Sequence, residues 1–247
     1  MASVQILIPA RYQSSRFPGK PLALIAGKTM IERVYENCKA SGFATAVVTD
    51  DERIEKAVRG FGGEVFRIDD DVPSGSERIA LCAERFLKGK VDLIINVQGD
   101  EPLLKGDILK DLAHFHLDSP FEVTTLLRER KRSEEDFRNP NVVKAVWSQG
   151  SGECHYFSRE SIPFDREGSA QSPWYQHIGV YSYRPEALAN FVKFKISPLE
   201  DLEKLEQLRA LENGYRIGAK LTTQKLIGVD VPEDVKKVEG ALGETFP

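Results

Sequence analysis

Three cations fall within the ten residues Arg11-Tyr-Gln-Ser-Ser-Arg16-Phe-Pro-Gly-Lys20, directly after the apolar run Val4 to Pro9. Two hydroxyls, Ser14 and Ser15, and a Pro18-Gly19 turn lie among them. So much like charge in one loop is unfavourable without an anion. A nucleoside triphosphate, with about four negative charges, is an anion of suitable size for cations and free backbone N–H donors. Arginine brings forked donors and lysine a mobile point charge. The spacing is not that of a Walker loop, because Gly-x4-Gly-Lys-Ser/Thr is missing. The segment Pro9–Lys20 is therefore read as a triphosphate loop, against the alternative of a solvated basic loop.

Carboxylates occur in comparable places. Asn96-Val-Gln-Gly-Asp100-Glu101-Pro102 follows an apolar run, and Asp230 follows Ile227-Gly-Val some 130 residues later. Two aspartates leaving the carboxyl ends of two strands can converge on one Mg²⁺, which takes a few carboxylates together with phosphate oxygens. Taken singly, each also reads as a turn residue or helix cap. Ser74-Gly-Ser-Glu-Arg78 opens a helix. Its hydroxyls and N–H groups suit a base or a phosphate, with Arg78 reaching back; an N-cap followed by an exposed arginine reads equally well.

These groups need elements to hold them. Val4–Pro9, Ala46–Thr49, Glu64–Ile68 and Asp92–Val97 read as strands, with helices at Thr29–Ser41, Asp51–Phe61 and Ser74–Phe86. Nearly continuous apolar strands alternating with helices indicate a parallel sheet covered on both faces. In such sheets ligands sit at the carboxyl edge. Later in the chain, Glu122–Leu127, Val142–Trp147 and Gly179–Tyr183 read as strands with fewer helices between them. They would extend the sheet or form a small lobe. Ser197 with Pro198 and Glu200, leucines at 199, 202, 205 and 208, and Gly214 as stop predict one helix. Leu226–Val229 reads as a last strand and Pro232 as the start of a last helix. The expected organisation is one domain, 1–247.

Composition narrows the choices. The 247 residues are 41% hydrophobic and 29% charged, with formal net charge -4 from 34 basic and 38 acidic side chains. That argues against nucleic-acid binding, and no apolar run approaches the roughly 20 residues of a membrane span. Cys38, Cys82 and Cys154 have neither disulfide-framework nor zinc spacing and read as core residues. Without an export signal, a cytoplasmic protein is expected.

Several motifs occur in order along nearly the whole chain: IPARYQSSRFPGKPL, SGSERIA, NVQGDEP, NPNVVKAV, YFSRESIPF, QHIGVYSYR, SPLEDLEKLEQLRALENG and GVDVPED. Together they resemble the 3-deoxy-manno-octulosonate (KDO) cytidylyltransferases. The first loop alone marks only the wider sugar-nucleotidyltransferase class; NVQGDEP, YFSR, HIGVY and LEKLEQLR are more specific. The resemblance implies an α/β fold with a Rossmann-like, mainly parallel sheet of the nucleotide-diphospho-sugar transferase type. It also implies a smaller sugar-binding and dimerisation lobe, placed at roughly 120–200. CTP and an acidic 2-keto sugar would be the substrates, Mg²⁺ the cofactor and a homodimer the assembly, with a role in lipopolysaccharide biosynthesis.

By motif position, the resemblance gives Arg11, Arg16 and Lys20 to the triphosphate, and Pro9, Ala10, Ser74, Gly75 and Arg78 to the cytidine pocket. It gives Asp100 and Asp230 to the metal, and Arg159, His177, Tyr181, Glu206 and Gln207 to the sugar acid. Gln98 would serve nucleotide and sugar, while Arg11, Lys20 and Asp100 would carry the catalysis. The one visible departure is Ser-Gly-Ser at 74–76, where Ser-Gly-Thr is more frequent; loss of a methyl matters little to hydrogen bonding. A carboxylate bearing many hydroxyls needs one strong cation, for which Arg159 is suited, and several two-way hydrogen-bonding groups. The rivals are an enzyme for the 8-amino analogue or a sialic-acid type, a nucleotide-sugar glycosyltransferase and a non-catalytic nucleotide sensor. The glycosyltransferases commonly carry Asp-x-Asp where this chain has Gly-Asp-Glu-Pro.

Overall fold

The computed structural model describes residues 2–14, 16–168 and 172–243. Ser15, counted above among the loop's hydroxyls, lies outside them. The chain divides into two compact units, residues 1–110 with 225–247, and residues 111–224. The expected lobe at 120–200 falls within the second.

The first unit is built on β1 (Val4–Ala10), whose seven residues are all buried. A two-stranded hairpin follows, β2 (Leu24–Ile25) and β3 (Lys28–Thr29), and then α1 (Met30–Lys39). Next come β4 (Ala44–Thr49), α2 (Glu52–Gly60), β5 (Val65–Arg67), α3 (Gly75–Cys82), β6 (Leu93–Asn96) and α4 (Gly106–Leu117), within which the division of the chain falls. The strand order is β5-β4-β1-β6, and every pairing is parallel. β1 is hydrogen-bonded on both edges, as its uninterrupted apolar sequence requires.

Side chains start the helices. Thr29 Oγ1 accepts from Glu32 N–H at 3.3 Å, Asp51 caps α2, and Ser74 and Glu77 form a reciprocal capping box on α3. α1 buries Met30, Ile31, Val34, Tyr35 and Cys38 on one face. The expected helix to Phe86 is α3 followed by a wider π-helical turn, Ala83–Leu87. Cys38, Cys82 and Cys154 are free and buried.

The second unit contains β7 (Val123–Arg130), β8 (Lys144–Ser148), β9 (Glu153–Ser158), β10 (Trp174–Tyr183), α5 (Pro185–Phe191), α6 (Pro198–Glu203), α7 (Gln207–Glu212) and β11 (Ile217–Leu221). Its strands run β10-β7-β11-β9-β8, and β8 also pairs with β10, so the five close on themselves. Only β11 and β7 are parallel. The last element among the described residues is α8 (Pro232–Gly243), part of the first unit. Among the described residues no helix is long and apolar enough to cross a membrane.

Two expected elements differ from those observed. The single helix after Ser197 is two short helices, broken where Lys204 takes left-handed angles, φ 52° and ψ 48°. Leu202 on α6 is 80% exposed while Leu208 on α7 is fully buried, so the leucines do not form one buried stripe. Residues 226–229 form no strand. Val229 instead gives its N–H to Asp100 O at 3.0 Å and its carbonyl to Lys20 Nζ at 2.9 Å. Its side chain is fully buried in a cluster with Ile25, Met30 and Val238, against which Phe17 also packs.

Candidate active site

At the carboxyl end of β1 the chain enters the cation loop, and each cation already has oxygen partners. Arg11 donates to the carbonyls of Val72 and Pro73, at 2.8 and 3.0 Å. It thereby braces the segment leading into α3. Arg16 pairs with Asp230 at 2.9 Å, both side chains being exposed. Lys20 Nζ lies 2.7 Å from Asp100 Oδ2. The loop turns at Gly19, φ 72°, whose N–H donates to Tyr12 O at 2.9 Å. A Cβ there would stand 3.1 Å from the Tyr12 ring, so glycine lets the loop close on it.

Asp100 and Asp230 are brought together through one short segment. Lys20 bonds both the Asp100 carboxylate and the Val229 carbonyl, and Val229 N–H bonds Asp100 O. The Asp230 and Val231 N–H groups are held by Asp234 at the start of α8. Glu101, which sequence reasoning did not single out, sits beside them. Its Oε2 is buried without a hydrogen-bond partner among the described residues. Loss of hydration raises its carboxyl to about 8, the Asp100 and Asp230 charges add to this, and Lys20 opposes it. Asp100 and Asp230, linked through Lys20 and Val229, with the orphaned Glu101 oxygen beside them, are the kind of oxygen donors a hard divalent cation takes together with phosphate oxygens. Among the described residues there is no cluster of three or more histidine, cysteine or carboxylate groups placed to hold a metal by themselves.

Pro9 and Gly75 are in contact, since a Cβ on Gly75 would lie 3.2 Å from Pro9 Cγ. Pro9 O also faces Gly99. These approaches bring the expected cytidine residues Pro9, Ala10, Ser74 and Gly75, and the turn at Gln98 to Glu101, to the same strand end. The Ser74 hydroxyl is engaged by its own helix. Arg78 departs from both of its sequence readings. It is neither exposed nor free to reach out, because its buried guanidinium donates to Asp50 Oδ2 at 2.6 Å and to Ile68 O. Burial lowers its pKa, and the neighbouring Asp50 resists that shift. In this position Arg78 ties α3 to the ends of β4 and β5.

The expected sugar-acid residues lie in the second unit. β10 bulges between Ile178 and Tyr181, which face the consecutive residues Leu126 and Thr125 on β7. Across the bulge the His177 and Tyr181 rings lie 5.4 Å apart, with His177 against Thr125. Thr125 Oγ1 is 2.8 Å from Val180 O and 3.1 Å from His177 Nε2. Glu206 lies close enough to Tyr181 to raise its phenol, which burial has already pushed well up. Gln207 is 6% exposed, and its Nε2 has no partner among the described residues. The Arg159 guanidinium donates to Glu203 O at 2.7 Å, to Pro140 O at 3.0 Å and, more weakly, to Lys204 O at 3.4 Å. Of its five guanidinium N–H donors, three have these partners among the described residues.

His177 is half-buried, and loss of hydration around its ring moves its pKa down to about 3. His116, bonded to Ser182 Oγ at 2.8 Å and Phe121 O at 3.1 Å, moves down to about 4 for the same first reason. Both are therefore neutral at pH 7, so His177 acts as a hydrogen-bonding group and not as a cation. Unfolded imidazoles take up a proton near pH 6.5, well above the folded values. The stability these residues contribute is thus full above pH 6.5 and lost as pH falls toward 4 and 3. Ring-carbon NMR shifts of both should stay flat from pH 8 to 5; inflections near 6.5 would contradict the assignment.

Cations already matched to carboxylates at the edge of a parallel sheet suit transfer of a nucleotide, and the fold is of the α/β nucleotidyltransferase class. The family model described as cytidylyltransferase matches residues 5–220. The chain is 46% identical to the 3-deoxy-manno-octulosonate cytidylyltransferase of Syntrophotalea carbinolica, covering 97% of this chain and 98% of the relative. It is 45% identical, with the same coverage, to the 8-amino-3,8-dideoxy-manno-octulosonate cytidylyltransferase of Shewanella halifaxensis. A solved structure of CMP:2-keto-3-deoxy-manno-octonic acid synthetase complexed with CTP superposes with TM-score 0.91 at 36% identity, covering 99% of this chain and 100% of that one. The chain belongs to the 3-deoxy-manno-octulosonate cytidylyltransferase family.

Proposed function

We propose that this protein joins CTP to 3-deoxy-manno-octulosonate, giving CMP-KDO and pyrophosphate, as a cytoplasmic homodimer serving lipopolysaccharide biosynthesis. The observation that carries the mechanism is the Lys20–Asp100 pair tied to the segment of Asp230. Arg11, Arg16 and Lys20 take the triphosphate, and Pro9, Ala10, Ser74, Gly75 and Gln98 line the cytidine side. Arg78 supports that side from within, through Asp50 and Ile68. Arg159 offers its remaining N–H donors to the sugar carboxylate, while His177, Tyr181, Glu206, Gln207 and Gln98 meet hydroxyls.

The sugar's anomeric oxygen attacks the α-phosphorus in line. The new P–O bond forms as the bond to the bridging oxygen of the β-phosphate breaks, and pyrophosphate leaves with that electron pair. Lys20 and Arg16 neutralise the leaving group, and the hydroxyl proton passes to solvent. No side chain is assigned as a general base. Asp100 and Asp230 would hold Mg²⁺, which when bound supplies charge neutralisation at the α-phosphate and acidifies the attacking hydroxyl. Because each aspartate is matched by a loop cation, an anionic nucleotide and a metal ion can enter by exchanging partners, with little change in local charge. Positioning and charge stabilisation then supply most of the rate.

The 45% identical 8-amino enzyme makes that sugar the specific alternative. A panel of CTP and UTP against KDO, its 8-amino analogue and a sialic acid, followed by pyrophosphate release, decides between them. The highest kcat/KM is expected for CTP with KDO. A preference for the amino sugar would move the substrate assignment without touching the chemistry, and a preference for UTP would overturn the cytidine assignment.

A further inference from the structure

The break between α6 and α7 is held to Arg159 by Glu203, a residue that neither the reaction nor the family resemblance assigns. Glu203, the last residue of α6, accepts from Ser158 Oγ at 2.6 Å through Oε1 and from Arg159 N–H at 2.9 Å through Oε2. Its own carbonyl accepts from Arg159 Nε at 2.7 Å. The end of β9 and the end of α6 are thus joined by three hydrogen bonds, each with an ionised partner. Lys144, fully buried on β8, holds Arg159 in turn by donating to its carbonyl at 2.5 Å, as well as to the carbonyls of Asn139 and Val142. On the far side of the break, Glu200 and Arg209 form a buried two-point pair, at 2.6 and 2.7 Å, between α6 and α7.

Within this frame Lys204 adopts left-handed angles that a side chain with a Cβ resists. The consequence is directional. A continued helix would rotate the following residues by helical steps, whereas the break redirects them. It buries Leu205, sets Glu206 near Tyr181, and seats Gln207 buried with an amide nitrogen that has no protein partner among the described residues. A buried donor left unpaired costs stability unless a ligand or water meets it.

We propose that Glu203 is a positioning residue for the sugar-acid site: by clamping α6 to Ser158 and Arg159 it fixes the Lys204 corner, which aims Glu206 and Gln207 at the sugar. It does not touch the substrate itself. This inference rests on the assignment of Glu206 and Gln207 to the sugar acid, and the test separates the two.

Steady-state kinetics with each substrate varied, and thermal melts, are measured for E203A, E203Q, E203A/K204G and Q207A. E203A should raise the KM for the sugar acid about tenfold while the KM for CTP stays within twofold, as expected of a misplaced contact. E203Q keeps an oxygen acceptor for the Arg159 N–H, still folds, and should raise the sugar KM roughly threefold. Glycine adopts left-handed angles at little cost, so E203A/K204G should recover much of the lost affinity, because the corner then forms without its clamp. A purely stabilising role predicts instead that both KM values move together with the melting temperature, and that result overturns the proposal. So does a normal sugar KM in E203A when Q207A raises it. If Q207A itself leaves the sugar KM unchanged, the assignment of the sugar residues fails first and the positioning role falls with it.

Discussion

Asp100→Asn is expected to lower turnover about 10³-fold, equivalent to roughly 4 kcal/mol of transition-state stabilisation, while leaving the fold intact. The substitution is nearly isosteric. The amide oxygen can still accept from Lys20 Nζ, now 2.7 Å from Asp100 Oδ2, and the Asp100 carbonyl still receives the Val229 N–H. What disappears is one of two negative charges offered to a divalent cation. If Asp100 holds that cation, Asp100→Asn should need far more Mg²⁺ for any activity, and its kcat should stay low even with nucleotide saturating. Activity within tenfold of wild type at ordinary Mg²⁺ would remove Asp100 from the metal site. A circular-dichroism spectrum and a melting temperature close to wild type are needed beside it, because the same residue anchors Lys20.

Lys20→Met should act mainly on kcat, lowering it about 10²- to 10³-fold, with a smaller rise in the KM for CTP. Its side chain is only 16% exposed, and Nζ reaches both the Asp100 carboxylate and the Val229 carbonyl. A cation held this firmly is pre-organised, so little reorganisation is required when pyrophosphate charge develops. Methionine keeps the stem and removes the charge. An effect confined to sugar-acid affinity would show that Lys20 faces the wrong substrate. Lys20→Arg should rescue only partly, because a planar fork cannot occupy the site of a compact ammonium.

The parallel unit was legible because its strands are continuous apolar runs and its helices carry their own caps. Thr29, Asp51 and Ser74 each announce a helix start, and each accepts the expected backbone N–H. The cations of the first loop were legible from their like charge alone. Their partners were not, since Asp100, Asp230 and the carbonyls of Val72 and Pro73 lie far away in sequence. Glu101 was missed because a carboxylate in a Gly-Asp-Glu-Pro turn reads as solvated. Its half-buried side chain is covered by the chain around Gly228, where a Cβ would stand 3.5 Å from Glu101 Oε1.

Arg78 was misread for a related reason. Helical spacing puts it one turn into α3, but only the fold shows that turn resting on Asp50 and Ile68. The broken helix at Lys204 gave a false positive, because a capping serine, a proline and four leucines satisfy every local criterion for one helix. Glu203 and Arg159 win against that local preference through contacts between residues some 44 positions apart. The stretch 226–229 shows the same competition, for an apolar run can be anchored in a core by its side chains without joining a ladder. In these places the tertiary environment decides.

The most direct test of the central claim is phosphorus NMR of the protein incubated with Mg²⁺, CTP and 3-deoxy-manno-octulosonate. The proposed chemistry predicts a new phosphodiester resonance of a CMP-sugar and pyrophosphate appearing in equal amounts, with neither formed when the sugar acid is omitted. Release of inorganic phosphate and CDP, or pyrophosphate formed without the sugar, would contradict it.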